Sequence, residues 1–145
     1  SSFAPNEVTA AVLLAQLERA DEITRSRRVL WARYHSAFAS LEQAGLARRP
    51  IVPDDVEHNG HLYYLLLADE AARDRFIAAM HACGISTPFH YVPLDDSPGG
   101  RRYARACGDL TVTHSAARRL VRLPSWFGLD AEQDRVIEAT FRALR

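Results

Sequence analysis

HLYYLLLADEAARDRFIAAMHACGISTPF, His61 to Phe89, is the stretch that decides the fold. His61 to Leu67 is apolar at both phases of its alternation, which predicts a strand covered on each side. Asp69 is a suitable N-cap, and Glu70 to Ala82 reads as the helix that follows it. Ala72, Phe76, Ile77, Met80 and Cys83 recur at three- and four-residue steps, so one face points inward and Cys83 reads as a small core residue. Gly84 stops the helix, and Ile85 to Phe89 is predicted to form the next strand.

Beyond that strand the chain breaks. His90 and Tyr91 stand at its end, followed by VPLDDSPGGRRY, Val92 to Tyr103, with Pro93, Pro98, Gly99 and Gly100 shaping a loop. A polar aromatic pair at a strand end beside a shaped loop is a favourable place for ligand contacts. Further on, Arg101 to Cys107 is predicted as a short helix, Thr113 to Leu120 as another and Val121 to Leu123 as a brief strand. Asp130 with Gln133 resembles a capping box opening a last helix to Leu144, with Val136, Ile137, Phe141 and Leu144 inward.

Upstream, Asn6 caps a helix in which no proline or glycine intervenes from Glu7 to Gln43. Val8, Val12, Leu13, Ala15, Leu17 and Ala20 form one stripe. Ile23, Leu30, Tyr34, Phe38 and Leu41 form a second, and Gly45 ends the element. A continuous helix of this length would run roughly 55 Å, too long for a small domain to cover. The alternatives are a bend near Asp21 to Arg25, or a first segment that packs on something outside the chain. Val8 to Leu17, apolar nearly all round, favours the second. Leu46 to Gly60 is a connector. The whole reads as one α+β unit, a long N-terminal helix plus helices on one face of a small, mostly antiparallel sheet.

Composition narrows the function. The 145 residues carry no net charge, with 18 basic and 18 acidic side chains, and lack the basic excess of a nucleic-acid binder. No apolar run reaches membrane-spanning length. Cys83 and Cys107 form no paired framework, which points to free thiols and a cytoplasmic setting. Every basic residue is arginine. With no lysine, no side chain can form a Schiff base with a carbonyl or with pyridoxal phosphate.

Single residues do not identify an activity. His58 and His61, like His81 and Cys83, lack a third metal ligand at useful spacing. Cys107 lies near Arg105, but no histidine is placed to act as its base. Asp95 and Asp96 are adjacent loop acids, which usually point apart, and Arg101 and Arg102 are as common without a role as with one.

Four blocks together carry a resemblance: SSFAPNEVTAAVLLAQLERAD from Ser1, NGHLYYLLL from Asn59, GISTPFHYVPLDDSPGGRRY from Gly84 and RLVRLPSWFGL from Arg119. In order and spacing the chain resembles the C-terminal part of DegT/StrS-type sugar-nucleotide aminotransferases, pyridoxal-phosphate enzymes of the aspartate-aminotransferase fold (fold type I). It is most similar to those that aminate dTDP-4-keto-6-deoxyglucose at C4, to which the SSF-x-P-x-E form of the first block points. The resemblance implies a large cofactor domain before Ser1, bearing the lysine that holds the cofactor, and a homodimer. Residues 1–45 would be a helix between domains and at the dimer interface, and 46–145 the small domain. The amino donor would be glutamate and the acceptor a 4-keto-6-deoxy sugar nucleotide.

By position, Ser2 matches a site where relatives often have asparagine approaching the cofactor phosphate of the partner subunit. His90 and Tyr91 match a pair at the sugar-nucleotide site. Asp95 stands where relatives usually have a second histidine, which exchanges a donor for an anion. Two other readings stay open: a stand-alone α+β binding or regulatory module, which requires a covered first helix, and a fragment of a related dehydratase.

Overall fold

The structure is a computed structural model and describes residues 4–145. The N-terminal region forms three helical segments: α1 (Glu7–Leu17), α2 (Ala20–Ala37) and α3 (Ala39–Gln43). Asn6 caps α1 as expected, its Oδ1 accepting from the Thr9 amide at 2.8 Å. The helical stretch from Glu7 to Gln43 is interrupted just before Asp21, close to the place where a bend was one of the two expected alternatives. Arg19 leaves helical geometry at φ −109°, ψ 10°. From there its guanidinium forks onto Glu22 through two 3.0 Å bonds. A second break falls at Phe38, at φ −87°, ψ 8°, whose buried ring stacks on Tyr34 at 5.7 Å.

Strand β1 (Tyr63–Leu66) pairs antiparallel with β2 (Leu120–Leu123), in the register Tyr63 to Leu123 and Leu65 to Val121. These four side chains are buried on one face. Against them pack Leu30, Tyr34 and Phe38 of α2, Phe76 and Met80 of α4 (Glu70–Ala82), and Val136 and Ala139 of α7 (Gln133–Ala143). Tyr63 anchors the centre, its ring 5.3 Å from that of Tyr34 and 6.0 Å from that of Phe38. Fully burying an aliphatic or aromatic side chain stabilises by about 1.5–3 kcal/mol, so this cluster is the main source of cohesion.

The sheet is smaller than the sequence suggests. Ile85 to Phe89 is not a ladder strand, although its burial alternates as a strand's does, with Ile85 and Thr87 inside and Ser86 and Pro88 outside. Pro88 has no amide hydrogen to give, and the segment meets β2 through one backbone bond, Arg122 N to Pro88 O at 2.9 Å. On the other side, β1 is flanked by a single bridge from Arg48 to Leu66. The strand expected to be covered on each side is fully buried on one face only, through Tyr63 and Leu65, while Leu62, Tyr64 and Leu66 on the other are half-buried.

Gly84 ends α4 as predicted. It adopts φ +70°, and the Ile85 amide reaches back to Met80 O at 3.0 Å, the closure that favours glycine at this position. Cys83, expected on the buried stripe, is exposed because it is the cap residue beyond the last helical turn. The proposed capping box is also absent. Asp130 lies in a turn, and Gln133 is buried, its Nε2 donating to Leu30 O at 2.7 Å. The short helices are α5 (Pro98–Tyr103), in place of one at Arg101 to Cys107, and α6 (Thr111–Arg119).

α1 stands apart from this core. None of its residues is buried, and Val8, Val12, Leu13, Leu14 and Leu17 are 51–76% exposed. No helix among the described residues is long and apolar enough to cross a membrane.

Candidate functional site

His90 and Tyr91 follow the extended segment that Arg122 holds through Pro88. Their rings meet edge to face at 4.5 Å. His90 is half-buried, and its Nδ1 is buried without a hydrogen-bond partner. Burial first, then the nearby charges of Arg122 and His61, hold its pKa below the usual histidine value. Both effects favour the neutral imidazole, which donates from one nitrogen and accepts at the other. Tyr91 is 69% exposed, and the Arg122 guanidinium carbon lies 6.0 Å from its ring centroid.

Arg122 reaches this place because β2 alternates. Val121 and Leu123 point into the core, which turns Arg122 to the other face. Beside it opens a groove of about 630 Å³, walled by the Gly84–Pro88 segment, the end of β2 through Trp126, and the start of α7, with His61 at its margin. On its α7 side Arg135 donates to Glu132 at 3.2 Å and to Cys83 O at 2.6 Å. His90 and Tyr91 do not line the groove; Arg122 links them to it.

Asp95 is placed differently. It sits in a turn of 3-10 helix, Leu94–Asp96, with its Oδ2 2.9 Å from Nε2 of His114 on α6. Asp96 turns instead to Arg101, whose guanidinium keeps its carboxyl below the usual range. The loop is held by Ser97, whose Oγ donates to Leu94 O at 2.7 Å and accepts from the Gly100 amide at 2.9 Å. A Cβ at position 100 would lie 1.7 Å from Leu94 O, so only glycine fits this closure.

Ser2 lies outside the described residues. His58 and His61 are engaged in their own turn: His58 packs on Trp31 at 4.4 Å and accepts from the Gly60 amide, while His61 binds Asn59 Oδ1 at 2.8 Å. Among the described residues no group of three or more metal-ligating side chains comes together. The structure adds two residues that local sequence reasoning did not single out. For Arg122 a signal existed, a lone charge within the apolar run LVRLP. For His114 none did, since its partner lies nineteen residues away.

The profile of the DegT/DnrJ/EryC1/StrS aminotransferase family matches residues 3–141. A curated relative from Micromonospora megalomicea subsp. nigra, dTDP-3-amino-3,4,6-trideoxy-alpha-D-glucose transaminase, is 31% identical over 140 residues, covering 92% of this chain and 36% of the relative. Among solved structures, the aminotransferase TlmJ from Streptoalloteichus hindustanus superposes with a TM-score of 0.84 at 25% identity, over 97% of this chain and 37% of that one. DesV from S. venezuelae superposes at 0.80 with 32% identity, over 94% and 36%. The chain thus spans about a third of the length of the relatives it matches.

Proposed function

The chain belongs to the DegT/DnrJ/EryC1/StrS aminotransferase family, and on that premise we propose that it is the C-terminal part of a pyridoxal-phosphate-dependent sugar aminotransferase. The observation that carries this reading is α1. Five large apolar side chains exposed on a helix with no buried residue need a covering surface. Each contributes up to about 1.5–3 kcal/mol when buried. A stand-alone module would have covered that helix itself. We assign residues 1–45 to the connection between the two parts and to a homodimer interface, with 46–145 as the small domain, in a fold-type I enzyme of the cytoplasm.

Pyridoxal phosphate does not fit this chain alone. All 18 basic residues are arginine, so its covalent attachment belongs to another part of the enzyme and no cofactor step is assigned here. Ser2 is proposed as a hydrogen-bond donor to the cofactor phosphate of a partner subunit. His90 and Tyr91 are proposed substrate contacts, the neutral imidazole exchanging hydrogen bonds with sugar hydroxyls and the exposed phenol offering a stacking face. Asp95, paired with His114, is proposed as a third substrate contact. Glutamate is the proposed donor and a 4-keto-6-deoxy sugar nucleotide the acceptor. The relative from Micromonospora is named for an amino group at C3, so 3-keto sugars belong in the same assay.

The coding sequence upstream of Ser1 tests the reading. A lysine following a strand, with an aspartate before it, supports the enzyme. A stop codon or frameshift there overturns it in favour of a remnant.

A further inference from the structure

Among the described residues, Arg122 is a half-buried cation without an anion. Its Nε is buried and makes no hydrogen bond, and among the described residues its guanidinium forms no ion pair. Its charged and polar surroundings include Tyr91, His90, His61 and, opposite it in the β ladder, Tyr64. A second buried nitrogen, Nδ1 of His90, is also unpartnered. Removing such groups from water costs free energy that is recovered when a complementary acceptor arrives.

The groove beside Arg122 has the matching character. Its lining includes the cations Arg122 and Arg135, with His61 beside them, and its acid Glu132 is already engaged by Arg135. Pro88, Pro124 and Trp126 supply an apolar wall, with Trp126 51% exposed. An anion with an apolar or planar portion satisfies both halves of this site. An arginine fork is suited to it, because two parallel N–H groups meet two oxygens of one phosphate or carboxylate.

We infer that this groove is an anion-binding site in which Arg122 receives a phosphate or carboxylate group while the rest of the ligand lies against Trp126. The inference deepens the sugar-aminotransferase reading by assigning the residue that holds a charged group of a substrate. Two substrate groups share this chemistry, the diphosphate of a sugar nucleotide and the carboxylate of an amino-acid donor.

The test follows the arginine Nε–H signals of the 145-residue chain by NMR during titration with inorganic pyrophosphate and, separately, with glutarate. The expected result is a saturable shift of the Arg122 signal with one probe, while Arg142, paired with Glu138 away from the groove, stays in place. Pyrophosphate as the active probe assigns the site to the diphosphate, and glutarate to the carboxylate. Arg122→Gln should weaken binding by at least about tenfold, and Arg122→Lys by less, since charge survives but the fork does not. The wild-type titration stands alone if the glutamine variant does not fold. An Arg122 signal unmoved by either probe, or arginine signals that all drift together without saturation, overturns the inference. Neither titration involves cofactor or amino transfer, so failure of the aminotransferase reading and failure of this site are separately visible.

Discussion

His114 Nε2 and Asp95 Oδ2 lie 2.9 Å apart, joining the loop after the extended segment to helix α6. Each side chain is 26% exposed, so the pair is partly shielded and yet still screened by solvent. Where the resemblance leads one to expect a histidine at 95, this chain has an acid that meets a histidine from elsewhere.

Replacing either partner should loosen that loop without unfolding the chain. Asp95→Asn and His114→Ala should each destabilise by no more than about 1 kcal/mol, and the double variant by less than their sum. Urea unfolding of the four proteins measures the coupling. Hydrogen exchange at Asp96 and Ser97 should accelerate in both single variants. Asp95→His should lose the pair and behave like Asp95→Asn.

His90 predicts a pH dependence with a definite sign. Its folded pKa is lowered by burial, then by Arg122 and His61, so below the ordinary value near 6.5 the unfolded chain binds more protons. Stability is therefore full above that value and declines as pH falls below it toward the folded pKa. His35, lowered chiefly by burial and then by Arg49, acts in the same direction. An NMR titration should place the His90 midpoint below that of a histidine in the unfolded chain, and Arg122→Gln should raise it.

Gln133 ties α7 to α2 through the Leu30 carbonyl inside the core. Gln133→Ala removes a buried hydrogen bond and should cost about 1–3 kcal/mol, well above the effect of a surface change. Thermal or urea unfolding measures it. A cost near zero would mean that water replaces the amide.

The α1 surface makes the opposite prediction. Val12→Asp and Leu17→Asp change exposed positions, so the stability of the isolated chain should move by less than about 0.5 kcal/mol. Binding of a hydrophobic dye and self-association, read by sedimentation, should both fall. An equally destabilised chain would mean that α1 is covered after all.

Much of the architecture was legible because local signals agreed with packing. Asn6, Asp69, Gly45 and Gly84 mark helix ends by their own chemistry, and Phe76, Met80, Leu30, Tyr34 and Phe38 fall on the stripes that become the core. Errors arose where tertiary contacts overrode local pattern. Gln133 gave its side chain to Leu30 instead of a helix end, and Pro88 left an alternating segment without a ladder. At the site, His90 and Tyr91 were visible as a polar pair after an apolar run. The Asp95–His114 and Arg122–Tyr91 relationships were not, because they join distant residues that only the fold brings together.

In the proposed enzyme this chain supplies substrate contacts to a catalytic unit whose cofactor is held elsewhere. That role is tested most directly by 2-oxoglutarate formation from glutamate, a 4-keto-6-deoxy sugar nucleotide and pyridoxal phosphate. The measurement compares the chain alone with the chain joined to the proposed lysine-bearing N-terminal part. The expected rate for the chain alone is no greater than that of the free cofactor, with turnover in the joined protein. Chain-dependent turnover without that part, or none when it is present and folded, would contradict the proposed role.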